Sequence, residues 1–396
     1  MIKDKRILYI SPRYFYPAND GAKIVFYNTA KQLAKHNKLD YITNVSKEDF
    51  SYNFKEAKKY FKKFSYDLRD VTKQSIKDLF FSFLFQDSYF LRKYHTKKFK
   101  KMILDLMSKN KYDIVWLESA YMTSFAEFIK SIDKDVKIIS RSHNVEHLLL
   151  KRIANAEKNK FKKYLINREA KFWEELEFKH LKFVDKFLTI SESDKSYFLN
   201  KKQKLSKKTQ NLLPGVDFER YDFTHLTTEK NLVFIGMMDY FPNIQAVKWF
   251  KEKVFDEISI FDKEIKFYII GKNAGPEIKA MENDRIIVED GKNKDTEYFN
   301  KTRIFIVPLL SGSGIKLKIL NALAMGKPIL STKIGLEGIG LEHQKNVFVS
   351  DDPEVWKTII LQNMSKSETL ENIAENGRKF VEENFSWEKN MEKIEI

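Results

Sequence analysis

The residues with the clearest chemistry lie between Pro308 and Thr332, a stretch that reads PLLSGSGIKLKILNALAMGKPILST. It has the form of a buried strand, a loop over Ser311-Gly312-Ser313-Gly314, a helix over Ile315–Met325, a glycine stop and a second strand. Glycines let backbone N–H groups approach a phosphate closely, and a helix N-terminus favours negative charge. Lys316 and Lys318 fall in the first helical turn, where cations oppose the helix dipole. Helix stability does not account for them, whereas an anion docked at the loop does. The alternative is an ordinary strand-turn-helix connection with solvent-facing lysines. A second cluster, Arg141-Ser142-His143-Asn144-Val145-Glu146, directly follows a strand-like run. His143 is expected at the carboxyl end of a sheet, where an imidazole can bond a hydroxyl or move a proton; the alternative is an ordinary loop histidine. Glu118 ends another strand-like run. Asp239, Asp290 and Glu337 suit loop, cap or turn roles as well as ligand roles.

The elements that must position these groups alternate along the whole chain. Strand-like runs are Arg6–Ser11, Leu39–Asn44, Asp113–Glu118, Val136–Arg141 and Phe183–Ser191, then Asn231–Gly236, Ile265–Gly271, Arg285–Glu289, Arg303–Pro308, Pro328–Ser331 and Asn346–Val349. Most are continuously apolar, the mark of parallel strands buried on both faces. Helical stretches such as Gly21–His36, Asn243–Glu257 and Pro353–Met364 separate them, and Glu146–Lys182 reads as one long charged helix. This alternation predicts doubly wound α/β structure. The chain changes character at Leu213-Pro214-Gly215, so a boundary is expected near residues 214–230. The expected division is a first domain over 1–215, a second over 216–380 and a C-terminal helix over 381–396 that returns to the first.

Composition narrows the function classes. The 396 residues are 43% hydrophobic and 14% aromatic with only 13 Gly and 8 Pro, which excludes a disordered or low-complexity chain. The absence of cysteine excludes disulfides, thiolate metal sites and a cysteine nucleophile, and fits a reducing cytoplasm. The opening MIKDKR leads straight into a strand-like run and is not expected to be a secretory signal. The longest apolar run, near Leu79–Phe85, is interrupted by Ser82 and falls far short of the roughly 20 residues that span a bilayer. Net charge is +16, unevenly placed: residues 1–215 hold 46 Lys and Arg against 25 Asp and Glu, leaving 25 against 30 in the remainder. The first half is therefore +21 and the second −5. Such asymmetry suits an anionic partner of the first half, or a lysine-biased proteome. No nucleic-acid recognition module is visible.

The ordered motifs resemble the retaining nucleotide-sugar glycosyltransferases of the GT-B fold, family 4 (glycosyl transferases group 1). The Pro308–Thr332 stretch is similar to that family's donor signature. Phe234-Ile-Gly236-Met-Met-Asp239 with Pro242-Asn243 resembles the opening strand, glycine loop and helix of its donor domain. Ile269-Ile-Gly271, Val288-Glu289-Asp290 and Gly335-Leu-Glu337-Gly338-Ile339 recur in the same order. Pro214-Gly215-Val216-Asp217 resembles the linker, with Pro214 where Asn is usual. Ser11-Pro12-Arg13 with Asp20-Gly21-Ala22-Lys23 resembles the loop after the first strand, and residues 141–146 its His-Asn-x-Glu site. The resemblance implies two Rossmann-like domains facing across a cleft. It implies donor contacts from Gly21, Gly236, Asp290, Ser311, Gly312, Ser313, Gly314, Ile315 and Asn321. Lys316 and Lys318 would neutralise the leaving pyrophosphate, with His143 near the sugar, and Arg13, Glu118, Asn144 and Glu146 would lie on the acceptor side. The wider family often carries two glutamates eight positions apart, here Ser313 and Asn321. A neutral amide accepts fewer hydroxyl bonds than a carboxylate, at a cost of ~1–3 kcal/mol in donor affinity.

The expected activity is sugar transfer from a nucleoside-diphosphate sugar to a lipid-linked or polymeric cell-surface glycan, with retention and without a metal or other cofactor. No Asp-x-Asp cluster is placed to hold a metal. The partners expected are the nucleotide-sugar, an anionic glycan or lipid-linked acceptor and the inner-leaflet surface, with no nucleic acid, in the cytoplasm or peripheral at the inner face of the membrane. Ser75–Leu104 pairs bulky aromatics with Lys and Arg, as interfacial elements do, or is a pair of ordinary core helices. The alternatives are a catalytically weak or inactive glycosyltransferase-like partner subunit and a nucleotide-sugar epimerase.

Overall fold

The computed structural model describes every residue except Met1, Asn19, Asn53, Gln74, 292–294, Ser313 and Ile396, and for Ala156 the backbone only. Two compact units divide the chain, one of Met1–Leu213 with Met391–Ile396 and one of Pro214–Asn390.

The first unit is built on a seven-stranded sheet. Its strands are β1 (Arg6–Ile10), β2 (Lys38–Val45), β3 (Phe61–Leu68), β4 (Ile114–Glu118), β5 (Lys137–Ser142), β6 (Lys186–Thr189) and β7 (Thr209–Asn211). They run in the order β3-β2-β1-β4-β5-β6-β7, with parallel pairings throughout. Alternate residues of each strand enter opposite layers. Leu8, Ile10, Val115 and Leu117 meet the helices Lys97–Lys109 and Ala126–Ile132 on one face. Ile7, Tyr9, Ile114 and Trp116 meet the helix Gly21–Ala34 on the other. Both faces are covered, which is why the strands read as unbroken apolar runs. Met391 and Ile394 join this second layer.

The second unit carries six strands: β8 (Asn231–Ile235), β9 (Lys266–Gly271), β10 (Ile286–Asp290), β11 (Ile304–Val307), β12 (Ile329–Ser331) and β13 (Phe348–Val349). Their order is β10-β9-β8-β11-β12-β13, again with parallel pairings. In each sheet the order reverses beside the first strand, between β1 and β4 and between β8 and β11. The crevice beyond the carboxyl ends at such a reversal is where doubly wound sheets take ligands.

Several expectations are corrected. The single helix over Glu146–Lys182 is two, Glu146–Ala156 and Lys160–His180, because the Asn159 side chain accepts from the Lys162 N–H and starts a new helix. The helix expected from Ile315 begins at Leu317, with Lys316 as its extended N-cap. The strand expected over Phe183–Ser191 is only Lys186–Thr189. β3 and β7 went unread because β3, an edge strand, alternates lysine with aromatics and β7 is three polar residues long.

Glycine at the ends of β8 and β9 lets the two loops nest. A Cβ on Gly271 would lie 1.8 Å from the Gly236 carbonyl oxygen, and one on Gly236 would lie 2.7 Å from the Asn243 amide nitrogen. Gly271→Ala is expected to destabilise the second unit by ~2 kcal/mol or more. Urea unfolding followed by Trp249 and Trp356 fluorescence measures this, and an unshifted transition would contradict the close approach.

Candidate functional site

In the second unit the loop after β11 and the loop after β8 meet at the sheet's reversal. Gly312 and Gly314 have φ of +125° and +71°, conformations that favour glycine. Among the described residues, its chain neighbours aside, nothing lies within 4 Å of where a Gly312 Cβ would stand, so one side of this loop is open. The Ser311 hydroxyl donates to the Gln245 side-chain oxygen at 3.0 Å, tying the loop to the helix Phe241–Phe250. Gly314 is buried and Ile315 is half-buried. Ser313 lies outside the described residues.

Lys318 is the second residue of the helix Leu317–Ala324. Its ammonium donates to Asn243 Oδ1 at 3.1 Å and stands 4.1 Å from the centre of the Phe234 ring. Asn243 is itself fixed by donating Nδ2–H to the Met237 carbonyl at 2.8 Å. Gly236 is thus a spacer: without a side chain it lets Asn243 close on the strand end and hold Lys318. Burial, and then the neighbouring Lys316 charge, lower the Lys318 pKa from 10.5 to about 7. Lys316 lies 3.8 Å from the Glu337 carboxylate, so the Gly335–Ile339 motif supplies it with a counter-charge. Two cations are therefore held together at a helix start, against the helix dipole. Asn321, one turn on, is half-buried. Asp290 is not drawn into this group: it ends the edge strand β10, where it pairs with Lys279 at 3.0 Å and accepts from the Ala274 N–H.

In the first unit the equivalent reversal holds a buried carboxylate. Glu118, at the end of β4, is fully buried. Its Oε1 accepts from Tyr9 at 2.9 Å, Trp116 Nε1 at 2.8 Å and Arg141 Nη2 at 2.8 Å, and its Oε2 from Arg141 Nε at 3.1 Å. Burial would raise the Glu118 pKa, but the Arg141 charge and the His143 hydrogen bond outweigh it and hold it at about 2. His143 Nε2 lies 2.9 Å from Glu118 Oε2. Burial lowers the His143 pKa against the pull of Glu118, so the imidazole is neutral near pH 7. Because Glu118 is ionised and only accepts, the proton of neutral His143 sits on Nε2 and Nδ1 is left as an acceptor. Phe26 closes edge-on against the ring at 5.1 Å.

The other first-unit candidates divide. Arg13 donates to Asp20 at 2.6 Å, and Asp20 caps the helix that begins at exposed Gly21. Asn144 is half-buried, its carbonyl accepting from the Ser142 hydroxyl at 2.5 Å. Glu118 and Glu146, expected on the acceptor side, both turn inward instead. Glu146 accepts from the Tyr121 hydroxyl at 3.0 Å, and burial together with the nearby Glu177 raises its pKa to about 8. Glu177 caps that helix from its neighbour, accepting from the Glu146 N–H at 2.9 Å and bonding His147. Asn243, Gln245, Tyr9, Trp116 and Glu177 escaped the sequence reading as site residues. Asn243 carried a signal, standing seven residues after the strand-end glycine; Glu177 carried none, being 31 residues from the helix start it caps.

Removing the Glu118 charge strands Arg141 in the interior. Glu118→Gln is expected to cost ~3–5 kcal/mol of stability in the first unit at pH 7. The sign follows from the depressed pKa: the carboxylate stabilises fully above its ordinary 4.5 and loses that contribution as pH falls towards about 2. Urea unfolding between pH 7 and pH 2 should show a smaller acid-dependent loss in the variant than in the parent; parallel curves would contradict the pairing.

A family model described as glycosyl transferases group 1 matches residues 229–365. A Klebsiella pneumoniae protein described as an uncharacterized 44.6 kDa protein in the cps region is 28% identical over 307 residues, 74% of this chain and 76% of its own. Among solved structures, Anabaena HepE in complex with UDP is similar with a TM-score of 0.69 at 11% identity, covering 98% of each chain. S. aureus TarM in complex with Fondaparinux, alpha-GlcNAc-glycerol and UDP is similar with a TM-score of 0.67 at 13% identity, again over 98% of each chain. The chain thus has the two-domain α/β GT-B fold, and residues 229–365 within it match the glycosyl transferases group 1 model.

Proposed function

We propose that this protein transfers a sugar from a nucleoside-diphosphate sugar to a lipid-linked or polymeric cell-surface glycan, retaining the anomeric configuration and using neither a metal nor another cofactor. The observation that carries the reading is Lys318: a half-buried lysine beside a second lysine, at an open glycine loop, within the residues that match the group 1 glycosyl transferase model. Breaking the bond between the anomeric carbon and the phosphate oxygen leaves negative charge on the diphosphate. Preformed cations and loop N–H groups at Gly312–Gly314 stabilise that charge without reorganising. In a retaining transfer the acceptor oxygen attacks from the leaving-group side and its proton passes to the departing phosphate. The neutral, carboxylate-oriented His143 suits bonding a sugar hydroxyl through Nδ1. The crystallised relatives HepE and TarM were solved with UDP, so a UDP-sugar is the first donor to try. The cps-region relative favours a polysaccharide product, and the basic first half favours an anionic acceptor or the inner face of the membrane as its place of work. Asn321 favours a second reading, a catalytically weak subunit that binds donor and supports a partner.

Two outcomes test the reading. Lys316→Ala should cut turnover of a UDP-sugar, followed as UDP release, by about a hundredfold or more while leaving the unfolding curve in place; near-parental turnover would refute the leaving-group role. Between pH 7 and 10.5 the unfolded chain holds a proton on Lys318 that the folded one does not, so this group adds stability as pH rises through that window. A diphosphate bound there reverses the preference. UDP binding at pH 8.5 should therefore take up a proton, seen as a dependence of calorimetric heat on buffer ionisation enthalpy, and Lys318→Met should abolish the uptake. Equal proton uptake in parent and variant would exclude Lys318 as the diphosphate contact.

A further inference from the structure

The helix Ile76–Leu84 in the first unit is turned inside out. Its Ser82 is fully buried, while Ile76, Phe80, Leu84 and the following Phe85 are 61% to 85% exposed. The exposed Ile76, Phe80 and Leu84 recur every four residues and so form one outward apolar stripe. The orientation is locked from below: Arg168, from the helix Lys160–His180, donates to the Ser82 carbonyl at 2.6 Å and stacks 4.5 Å from the centre of the Phe83 ring. Glu169, one residue on, caps the next short helix by accepting from the Tyr89 N–H at 3.1 Å. Between the two elements runs an open groove of about 620 Å³ whose lining includes Phe83, Tyr164, Arg168, Lys171 and Phe172, with one acid, Glu175. One turn before Tyr164 stands Phe161, and the two are 59% and 67% exposed. Lys77, Lys160, Lys162 and Lys171 are exposed along the same segments.

Exposed aromatic and aliphatic side chains bordered by lysines match the two parts of an anionic lipid surface, its acyl boundary and its phosphates. A second copy of this chain fits less well, because face-to-face association would bring like-charged lysine borders together. We propose that the stripe Ile76, Phe80 and Leu84, with Phe161 and Tyr164 across the groove, docks this protein on an anionic membrane surface. The proposal gives a location to the membrane contact in the functional reading above and rests on it for the purpose of that contact.

Co-flotation of the full chain with vesicles of phosphatidylglycerol and phosphatidylcholine in equal parts tests it. The parent should float, and raised salt should weaken binding through the lysine component. Phe80→Ser with Leu84→Ser changes only exposed side chains and should weaken binding by about a hundredfold or more. Lys160→Gln should weaken it about fivefold. UDP release from a UDP-sugar with a water-soluble acceptor should be unchanged in all variants, so loss of transfer in the parent would indict the functional reading and loss of flotation the docking surface. A parent that does not float, a double variant that floats as the parent does, or a concentration-dependent dimer that the double variant abolishes would each overturn the proposal.

Discussion

Charge taken out of water must be met by charge or by polar groups, and that constraint organises both ends of this chain where sheet order reverses. Glu118 is met completely. Arg141, Tyr9, Trp116 and His143 occupy its oxygens, and the balance keeps it ionised although it is fully buried. Among the described residues, Lys318 is met by neutral groups, an amide oxygen and an aromatic face, and the charge acting on it is another lysine. The first site is closed from within. At the second, Glu337 pairs with Lys316 while Lys318 rests on an amide oxygen and an aromatic face.

The sheets make these arrangements possible. In the first unit Tyr9, Trp116 and Glu118 come from two adjacent strands paired in register, Tyr9 opposite Trp116, and Arg141 lies opposite Glu118 on β5. A one-residue slip in any of these ladders would turn the group to the other face. His143, two residues past Arg141, inherits its position from the same register. In the second unit Phe234 on β8 and Lys318 beyond β11 meet because β8 and β11 are neighbours. Both sites are thus consequences of strand order rather than of loop conformation alone.

What was legible in the sequence followed from repetition. Apolar runs and strand-end glycines revealed most of the strands, and lysines set against a helix dipole drew notice because their placement conflicts with local stability. Contacts over long separations left no trace. Nothing near Glu146 announces that Glu177 caps it, and nothing in Glu118 as a strand-end acid distinguishes an exposed ligand from a buried counter-ion. That distinction depends on Arg141, which is 23 residues away and visible as a partner only once β4 and β5 lie side by side. Nor does the apolar run Leu79–Phe85 show which of its residues is buried: it is Ser82, the polar break, that the structure covers completely.

The same principle sharpens the meaning of the charge asymmetry. Many acids of the first unit are spent inside it: Asp40 pairs with Arg6, Glu118 with Arg141, and Glu169 and Glu177 cap helices, all four being buried. Glu146, with its pKa raised to about 8, holds its proton at neutral pH. The lysines, by contrast, keep their long side chains largely at the surface, as on Lys77, Lys160 and Lys162. A carboxylate that stays ionised keeps contributing its charge to the field outside wherever it is buried, whereas a neutral acid such as Glu146 contributes none. The first unit, residues 1–213 with 391–396, holds 47 Lys and Arg against 27 Asp and Glu, a count of +20 that rises further with Glu146 protonated, while the second unit, at −4, sets two of its lysines together at the glycine loop. Positive charge spread over a surface suits an extended anionic partner, and positive charge gathered at a glycine loop suits a compact one.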